Sequence, residues 1–478
     1  MPKEENQGIT VKKDQDFSEW YQQVILRAEL AEYSPVKGCM IIKPAGYSIW
    51  EAIQNYFNER LQKLGVKNAY FPLFIPESFF KKEAEHAKGF QPEVAWIANK
   101  DEGSERLAVR PTSETIMYDA YSRWVRSYRD LPLRINQWSN VVRFETKATR
   151  LFLRTREFLW QEGHCVYETE KECNKETRMF LDEYAQLCKE LLAIPVIQGK
   201  KTEEDKFAGA LYTTTIESFM PDGKSLQCGT SHNLGQNFAR SFGISFLGRD
   251  EKSYTPWQNS WGISTRLIGA MVMLHSDDNG LVLPPRVAYN KAVIIPIIFE
   301  KEKDKILKEA ELIEKELKTF NAILDNREGY SPGWKFNDWE LKGIPLRIEV
   351  GPKDLQNKQV VVVRRDTGKK EVVKRKQLKE YVKATLEKMQ DELYAKAKRF
   401  LNSSVVEVRN EKELAQALKN KKIASALCCC KGACEDKIKE RFAGVKIICI
   451  PFDQKRSEGQ CIMCQQKSKE QVYIAKSY

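Results

Sequence analysis

The residues best equipped for chemistry in this sequence are arginines set beside carboxylates. Arg143, Phe144 and Glu145 read RFE, and a loop later Arg154 opens RTREF. On a strand, side chains two positions apart share a face, so Arg143 and Glu145 are expected to project together. A guanidinium there stays charged and can fork onto a carboxylate or a phosphate. Arg266 begins RLIGAMVML, a run of small and apolar residues that reads as a helix. Cysteine is the other reactive type. CCCKGACEDK at Cys428–Lys437 and CIMC at Cys461–Cys464 form two clusters spaced as in tetrahedral structural zinc sites.

These groups need a scaffold, and 478 residues suffice for about three domains. Hydrophobic residues at 42% and charged residues at 30% describe a globular chain with real cores. The net charge of +12 favours a polyanionic partner such as RNA, through release of condensed counterions, and no DNA partner is expected. The first residues, MPKEENQGITVKKDQD, contain no apolar segment of a secretory signal. The longest apolar run, AVIIPIIF from Ala292 to Phe299, is too short to span a bilayer. A cytoplasmic protein with no membrane partner is expected. Twelve cysteines in that setting argue against a disulfide framework.

Apolar residues Ile49, Trp50, Ile53, Tyr56, Phe57 and Leu61 recur at helical spacing between Tyr47 and Leu64. Gly65 should end that helix, and Ala69 to Ile75 reads as a buried strand leading into Pro76. From Lys291 the character changes to that of a small α/β domain. AVIIPIIF, a charged helix from Lys301 to Phe320, NAILD, PLRIEV and QVVVV alternate there. A lysine-rich helical stretch, Lys376 to Leu401, leads to the cysteine tail.

The order of helix, strand and proline, then RFE with its loop and RTREF, then a late arginine on a helix, resembles motifs 1, 2 and 3 of class II aminoacyl-tRNA synthetases. Neither a HIGH-type nor a KMSKS-type element occurs, and GxxxxGK[ST] is absent. RPTSE (Arg110–Glu114), FLWQEGH (Phe158–His164), CGTSH (Cys228–His232), LVLPPRVA and a terminal SY narrow the likeness. Together they look like prolyl-tRNA synthetases of the archaeal and eukaryotic type, from about Phe17 to Tyr478.

That resemblance implies a mixed α/β (α+β) fold. Residues 1–285 would form a catalytic domain on an antiparallel sheet flanked by helices. Residues 286–390 would form an α/β anticodon-binding domain, and 391–478 a small α+β zinc-binding domain. It implies ATP-dependent activation of L-proline and transfer to tRNA(Pro), in a homodimer. Thr112 and Glu114 would accept the imino hydrogens, Trp160 and Phe207 would wall the ring, and Glu162, His164 and His232 would close the polar side. Arg143 would bridge the proline carboxylate and the α-phosphate. Glu145 and Arg154 would hold adenine and γ-phosphate, Gln227 and Thr230 would lie near adenosine, and Arg266 on the phosphates, with Mg2+ accompanying ATP. Thr112 could equally serve as a helix N-cap.

Relatives of the bacterial type carry an editing insertion between motifs 2 and 3, for which Glu145 and Arg266 stand too close, so no internal editing domain is expected. Glu340, Arg347 and Lys353, with Lys335 as a fourth, would read the two guanines of a proline anticodon. Cys429, Cys434, Cys461 and Cys464 would hold a structural zinc, although Cys428 or Cys430 could replace Cys429. Tyr478 would pack back toward the catalytic domain. Two other readings stay open: an inactive synthetase-like RNA-binding protein, and a class II enzyme for threonine, glycine or histidine.

Overall fold

The computed structural model describes residues 8–84, 93–98, 103–144, 148–298, 302–454 and 458–478. Helix α1 (Pro44–Lys63) starts on a proline, whose missing N–H costs nothing at a helix N-terminus. Of its expected stripe, Ile49, Trp50, Ile53, Phe57 and Leu61 are buried and Tyr56 is half-buried. The chain leaves through Gly65 at φ +74°, a left-handed conformation that glycine adopts without strain.

Ala69 to Ile75 departs from expectation. Only Lys67–Asn68 (β1) and Phe74–Pro76 are paired, in different sheets. Pro72 has no N–H for a ladder, and Tyr70 points outward at 72% exposure while Phe71 is buried. Burial here is confined to Phe71 and Ile75, and only the end of the run is strand.

The large sheet continues with β2 (Leu133–Val142), β3 (Glu157–Tyr167), β4 (Ile197–Lys200), β5 (Tyr212–Phe219), β6 (Lys224–Gly235) and β7 (Trp257–Ser264). Their spatial order, β2-β3-β7-β6-β5-β4, is antiparallel throughout. Helices α2 (Glu114–Trp124), α3 (Glu170–Glu190) and α4 (Arg266–His275) accompany it. Phe180 of α3 stacks on Trp261 of β7 at 3.9 Å, among Phe57 and Tyr184, which fixes the rear of the sheet.

Arg143 lies one residue beyond β2, so strand alternation is not what aims it. Its N–H still donates to the Arg156 carbonyl at 2.7 Å, which holds the backbone across the loop. Glu145 falls outside the described residues.

The second unit is a five-stranded sheet, β8 (Ala292–Pro296), β9 (Ile323–Leu324), β10 (Leu346–Val350), β11 (Gln359–Arg364) and β12 (Lys370–Lys374). Its order is β9-β8-β10-β11-β12, with β8 parallel to both neighbours. All five residues of β8 are buried, the pattern of a strand covered on both faces. Helices α5 (Lys303–Glu316) and α6 (Pro332–Leu341) belong to this unit. The charged helix is shorter than expected and finishes in a tighter turn at Lys318–Phe320.

Helix α7 (Leu378–Ser404) runs on to β13 (Val405–Glu407), β14 (Ile423–Leu427), helix α8 (Gly432–Arg441), β15 (Val445–Pro451) and β16 (Gln471–Ser477). These last strands extend the large sheet itself. β15 pairs with β4, and β16 pairs with β6 at Lys224 and Ser225. The C-terminal module is therefore joined to the large sheet by backbone hydrogen bonds. No helix among the described residues is long and apolar enough to cross a membrane.

Candidate active site

Three adjacent strands make the floor. Trp160, Glu162 and His164 alternate along β3, and register sets His164 opposite Ser260 and Glu162 opposite Gly262 on β7. On the other side of β7, His232 and Thr230 of β6 face the same two residues. Gly163, which points away, lies under Trp261, where a Cβ would come within 2.1 Å of the indole. Close packing behind the sheet thus locks the face that carries Glu162 and His164.

The RPTSE segment covers one side. Arg110 is 1% exposed and ties its guanidinium to the carbonyls of Phe71 and Asn140 at 2.8 and 2.9 Å. Ser113, not Thr112, holds the N-cap position of α2, yet makes no capping bond. Its hydroxyl turns instead to Glu162, and the Thr112 hydroxyl donates to Glu114.

A cavity of about 320 Å³ lies between these parts. Thr112, Glu114 and Arg143 all line it. So do Trp160, Glu162, His164, Phe207 and His232, together with Gln227, Thr230 and Arg266. The Trp160 indole N–H and the Ser260 hydroxyl have no hydrogen-bond partner among the described residues. Buried polar groups of this kind await a polar ligand or water.

The two histidines of the cavity are shifted in opposite directions. Burial opposes a proton on His164, but Glu162 at 3.1 Å and nearby Glu114 outweigh it and raise its pKa. Burial would raise Glu162, yet His164, Ser113 and Gln137 hold it below its usual value. Both shifts favour the charged forms of the pair. His232 is pushed down to about 3, by burial first and by His164 second. Neutral, it bridges Thr213 at Nδ1 and Thr230 at Nε2, at 2.9 and 3.0 Å.

Arg143 and Arg266 also line a second cavity of about 520 Å³, with Arg150, Arg154 and Lys224. No acidic side chain is among its described lining residues. Burial lowers the pKa of Arg266, and Arg143 and Arg154 act in the same direction, but arginine remains charged. Arg266 is held by the carbonyls of Leu153 and Gln227 at 3.1 and 3.4 Å. Tyr478 reaches this cavity too, with its hydroxyl on Asp222 at 2.7 Å.

Asp205, Ser260, Arg150 and Lys224 line these cavities without having been singled out in the sequence. Ser260 had a readable signal, since QNSWGIS alternates as β7 does. Asp205 had none.

In the second unit, Glu340 and Arg347 share a cavity with Trp339, Arg364, Arg365 and Lys370. Lys335 and Lys353 are not part of it. Lys335 is 4% exposed and donates to the Asp325 carbonyl at 3.1 Å, while Lys353 is exposed on another helix.

The thiols of Cys429, Cys434, Cys461 and Cys464 lie within 4.8 Å of one another. Cys429 is 3.5 Å from Cys434 and 3.8 Å from Cys464, and Cys461 is 4.0 Å from Cys434. Four bonds of about 2.3 Å to one tetrahedral zinc set sulfurs about 3.8 Å apart, so the set fits. Cys430 turns to the Cys428 carbonyl instead.

Residues 95–275 match the class II tRNA synthetase core domain (G, H, P, S and T), and residues 291–385 an anticodon-binding domain. Residues 411–478 match the C-terminal domain of prolyl-tRNA synthetase. The chain is 48% identical over 481 residues to proline–tRNA ligase 2 of Bacillus cereus, covering 100% of both. It is 48% identical over 484 residues to proline–tRNA ligase of Alkaliphilus oremlandii, again covering 100% of both. Among solved structures, prolyl-tRNA synthetase from Cryptosporidium parvum complexed with halofuginone and AMPPNP superposes with a TM-score of 0.94. It shares 43% identity, with 99% of this chain and 100% of that chain covered.

Proposed function

The chain belongs to the prolyl-tRNA synthetase family, and from that premise we propose that the cavity around Thr112, Glu114 and Arg143 is its amino-acid site. The protein is an enzyme that activates proline with ATP and transfers it to tRNA(Pro). One observation carries the site assignment. Arg143 and Arg266 belong to both cavities, so a carboxylate in the first meets a polyphosphate in the second at fixed positive charge.

Proline presents two imino hydrogens, a carboxylate and an apolar ring. Thr112 and Glu114 supply acceptors, Trp160 and Phe207 the walls, and Arg143 the carboxylate contact. His164, tied to Glu162, and neutral His232 complete the polar side. The carboxylate oxygen forms a bond to the α-phosphorus as the bond to pyrophosphate breaks. Arg154 and Arg266 stabilise the charge that leaves, and Gln227 and Thr230 lie beside the adenosine. Mg2+ accompanies ATP and supplies counter-charge to its phosphates. A ribose hydroxyl at the tRNA 3′ end then attacks the acyl carbon and AMP departs. The segment from Val142 to Arg266 forms the core strands and their helices, which supports the absence of an internal editing domain.

Proline-dependent pyrophosphate exchange, run beside threonine, glycine, alanine and cysteine, tests this reading. Exchange driven best by any of the other four would overturn it.

The three-part division at 285/286 and 390/391 is kept as part of the proposal, with α7 as one continuous helix across the second boundary. Tyr33, Val36 and Ile41, exposed around the hairpin before α1, are apolar surface of the kind a second copy buries, which supports a homodimer. The setting is cytoplasmic.

Glu340 and Arg347 are the anticodon readers best supported, a carboxylate for guanine N1–H and N2–H and a guanidinium for O6 and N7. Glu340→Ala should lower aminoacylation at least about tenfold while proline-dependent exchange stays within about twofold. Equal losses in both assays would reject the role. Cys429, Cys434, Cys461 and Cys464 hold a structural zinc. Metal analysis of fresh protein should return about one equivalent, and substitution of Cys434 by serine should abolish it.

A further inference from the structure

Two residues of the C-terminal module reach toward the amino-acid cavity without lining it. Residues 201–210 run from the end of β4 toward β5 and carry Asp205 and Phe207, both of which line the cavity. At its cavity end the loop is tied to the floor. The Phe207 N–H donates to Thr213 Oγ1 at 2.9 Å, and the Phe207 ring lies 4.7 Å from that of His232.

At its outer end the ties come from elsewhere in the sequence. Lys446 of β15 donates from Nζ to Asp205 Oδ2 at 2.9 Å. Lys201, 2% exposed, approaches the same carboxylate at 3.3 Å and also donates to Glu217 and to the Ile448 carbonyl of β15. Thr202 donates to Glu435 Oε2 at 2.9 Å. Glu435 lies in the first turn of α8, and at Gly432 of the same turn a Cβ would come within 2.7 Å of Glu204. The start of α8 is thus packed directly on the loop. Burial would raise the Asp205 pKa, but Lys201 and Lys446 outweigh it, so the clamp is ionic.

We propose that Lys446 and Glu435 are positioning residues: they hold residues 201–210 so that Phe207 closes the apolar side of the amino-acid cavity. Affinity for the amino acid then depends on two side chains that line neither cavity. A released loop must be ordered again each time the ligand binds, and that ordering subtracts from the binding free energy. The arginine-lined second cavity, where the phosphates are placed, contains neither Asp205 nor Phe207, so the phosphate contacts lie outside the clamp's reach. This inference rests on the reading of the first cavity as the proline site.

Lys446→Met, which keeps the aliphatic stem, is assayed in full-length protein by pyrophosphate exchange, with Lys446→Arg and Thr202→Val beside it. The KM for proline should rise about tenfold in Lys446→Met, equivalent to about 1.4 kcal/mol. The KM for ATP, kcat and the melting temperature should stay close to wild type. Thr202→Val should shift the same KM in the same direction, and Lys446→Arg should restore most of it. A proline KM within twofold of wild type in both Lys446→Met and Thr202→Val would overturn the proposal. So would a rise in the ATP KM matching that for proline. Wild-type protein lacking proline-dependent exchange would instead fail the reading of the cavity itself.

Discussion

Replacing Arg143 with alanine should lower proline-dependent pyrophosphate exchange at least about 100-fold, the scale of one preorganised charge contact at about 2.7–4 kcal/mol. The side chain is fixed before any ligand arrives. Its Nε donates to the Pro111 carbonyl at 3.2 Å, and its guanidinium lies 5.5 and 5.4 Å from the rings of Phe158 and Trp160. Those rings add cation–π attraction and stop the group from swinging away. Lysine at 143 should recover little, because an ammonium is a point charge that cannot fork onto a carboxylate and a phosphate together. Thermal unfolding should change little, since the group is part-buried and spans two open cavities. Near-normal exchange by Arg143→Ala would break the site assignment.

What was legible in the sequence divides along a physical line. Helical spacing foretold α1 because its buried face is a property of one segment, and Arg266 at the start of α4 was visible for the same reason. Arg143 was found for a reason the structure corrects. Strand alternation was expected to aim it, but β2 stops at Val142, and the neighbouring carbonyl of Pro111 and the two rings do the aiming. Lys335 was expected beside the anticodon readers, but Asp325, ten positions earlier, draws it inward. Asp205 and Lys446 are 241 positions apart, and no local pattern announces such a pair. Least visible of all was the joining of β15 and β16 to the catalytic sheet. Pairing partners between distant strands depend on the whole fold, whereas the apolar character of each strand does not.

The buried pair beneath the cavity sets the second large effect. Glu162 is 2% exposed and His164 1%, and Glu162 also accepts from Ser113 and Gln137. Glu162→Gln keeps the shape but removes the anion that does most to raise His164, with Glu114 left as the other raising carboxylate. Breaking one side of a buried pair costs about 3–5 kcal/mol. The cost must depend on pH, and its sign follows from the two shifts. His164 is raised above 6.5, so its contribution is complete below 6.5 and is lost as pH climbs through the folded value. Glu162 is lowered below 4.5, so its contribution is complete above 4.5 and is lost as pH falls through the folded value. Between those limits both contributions are whole. The gap in unfolding free energy between wild type and Glu162→Gln should therefore be widest between about pH 4.5 and 6.5 and should narrow as the solution is made alkaline. Urea titrations from acid to alkaline pH measure it directly. A gap of constant size from pH 5 to pH 9 would mean that His164 stays neutral throughout, and that the amino-acid site is floored by a hydrogen bond between uncharged and charged partners instead of by an ion pair.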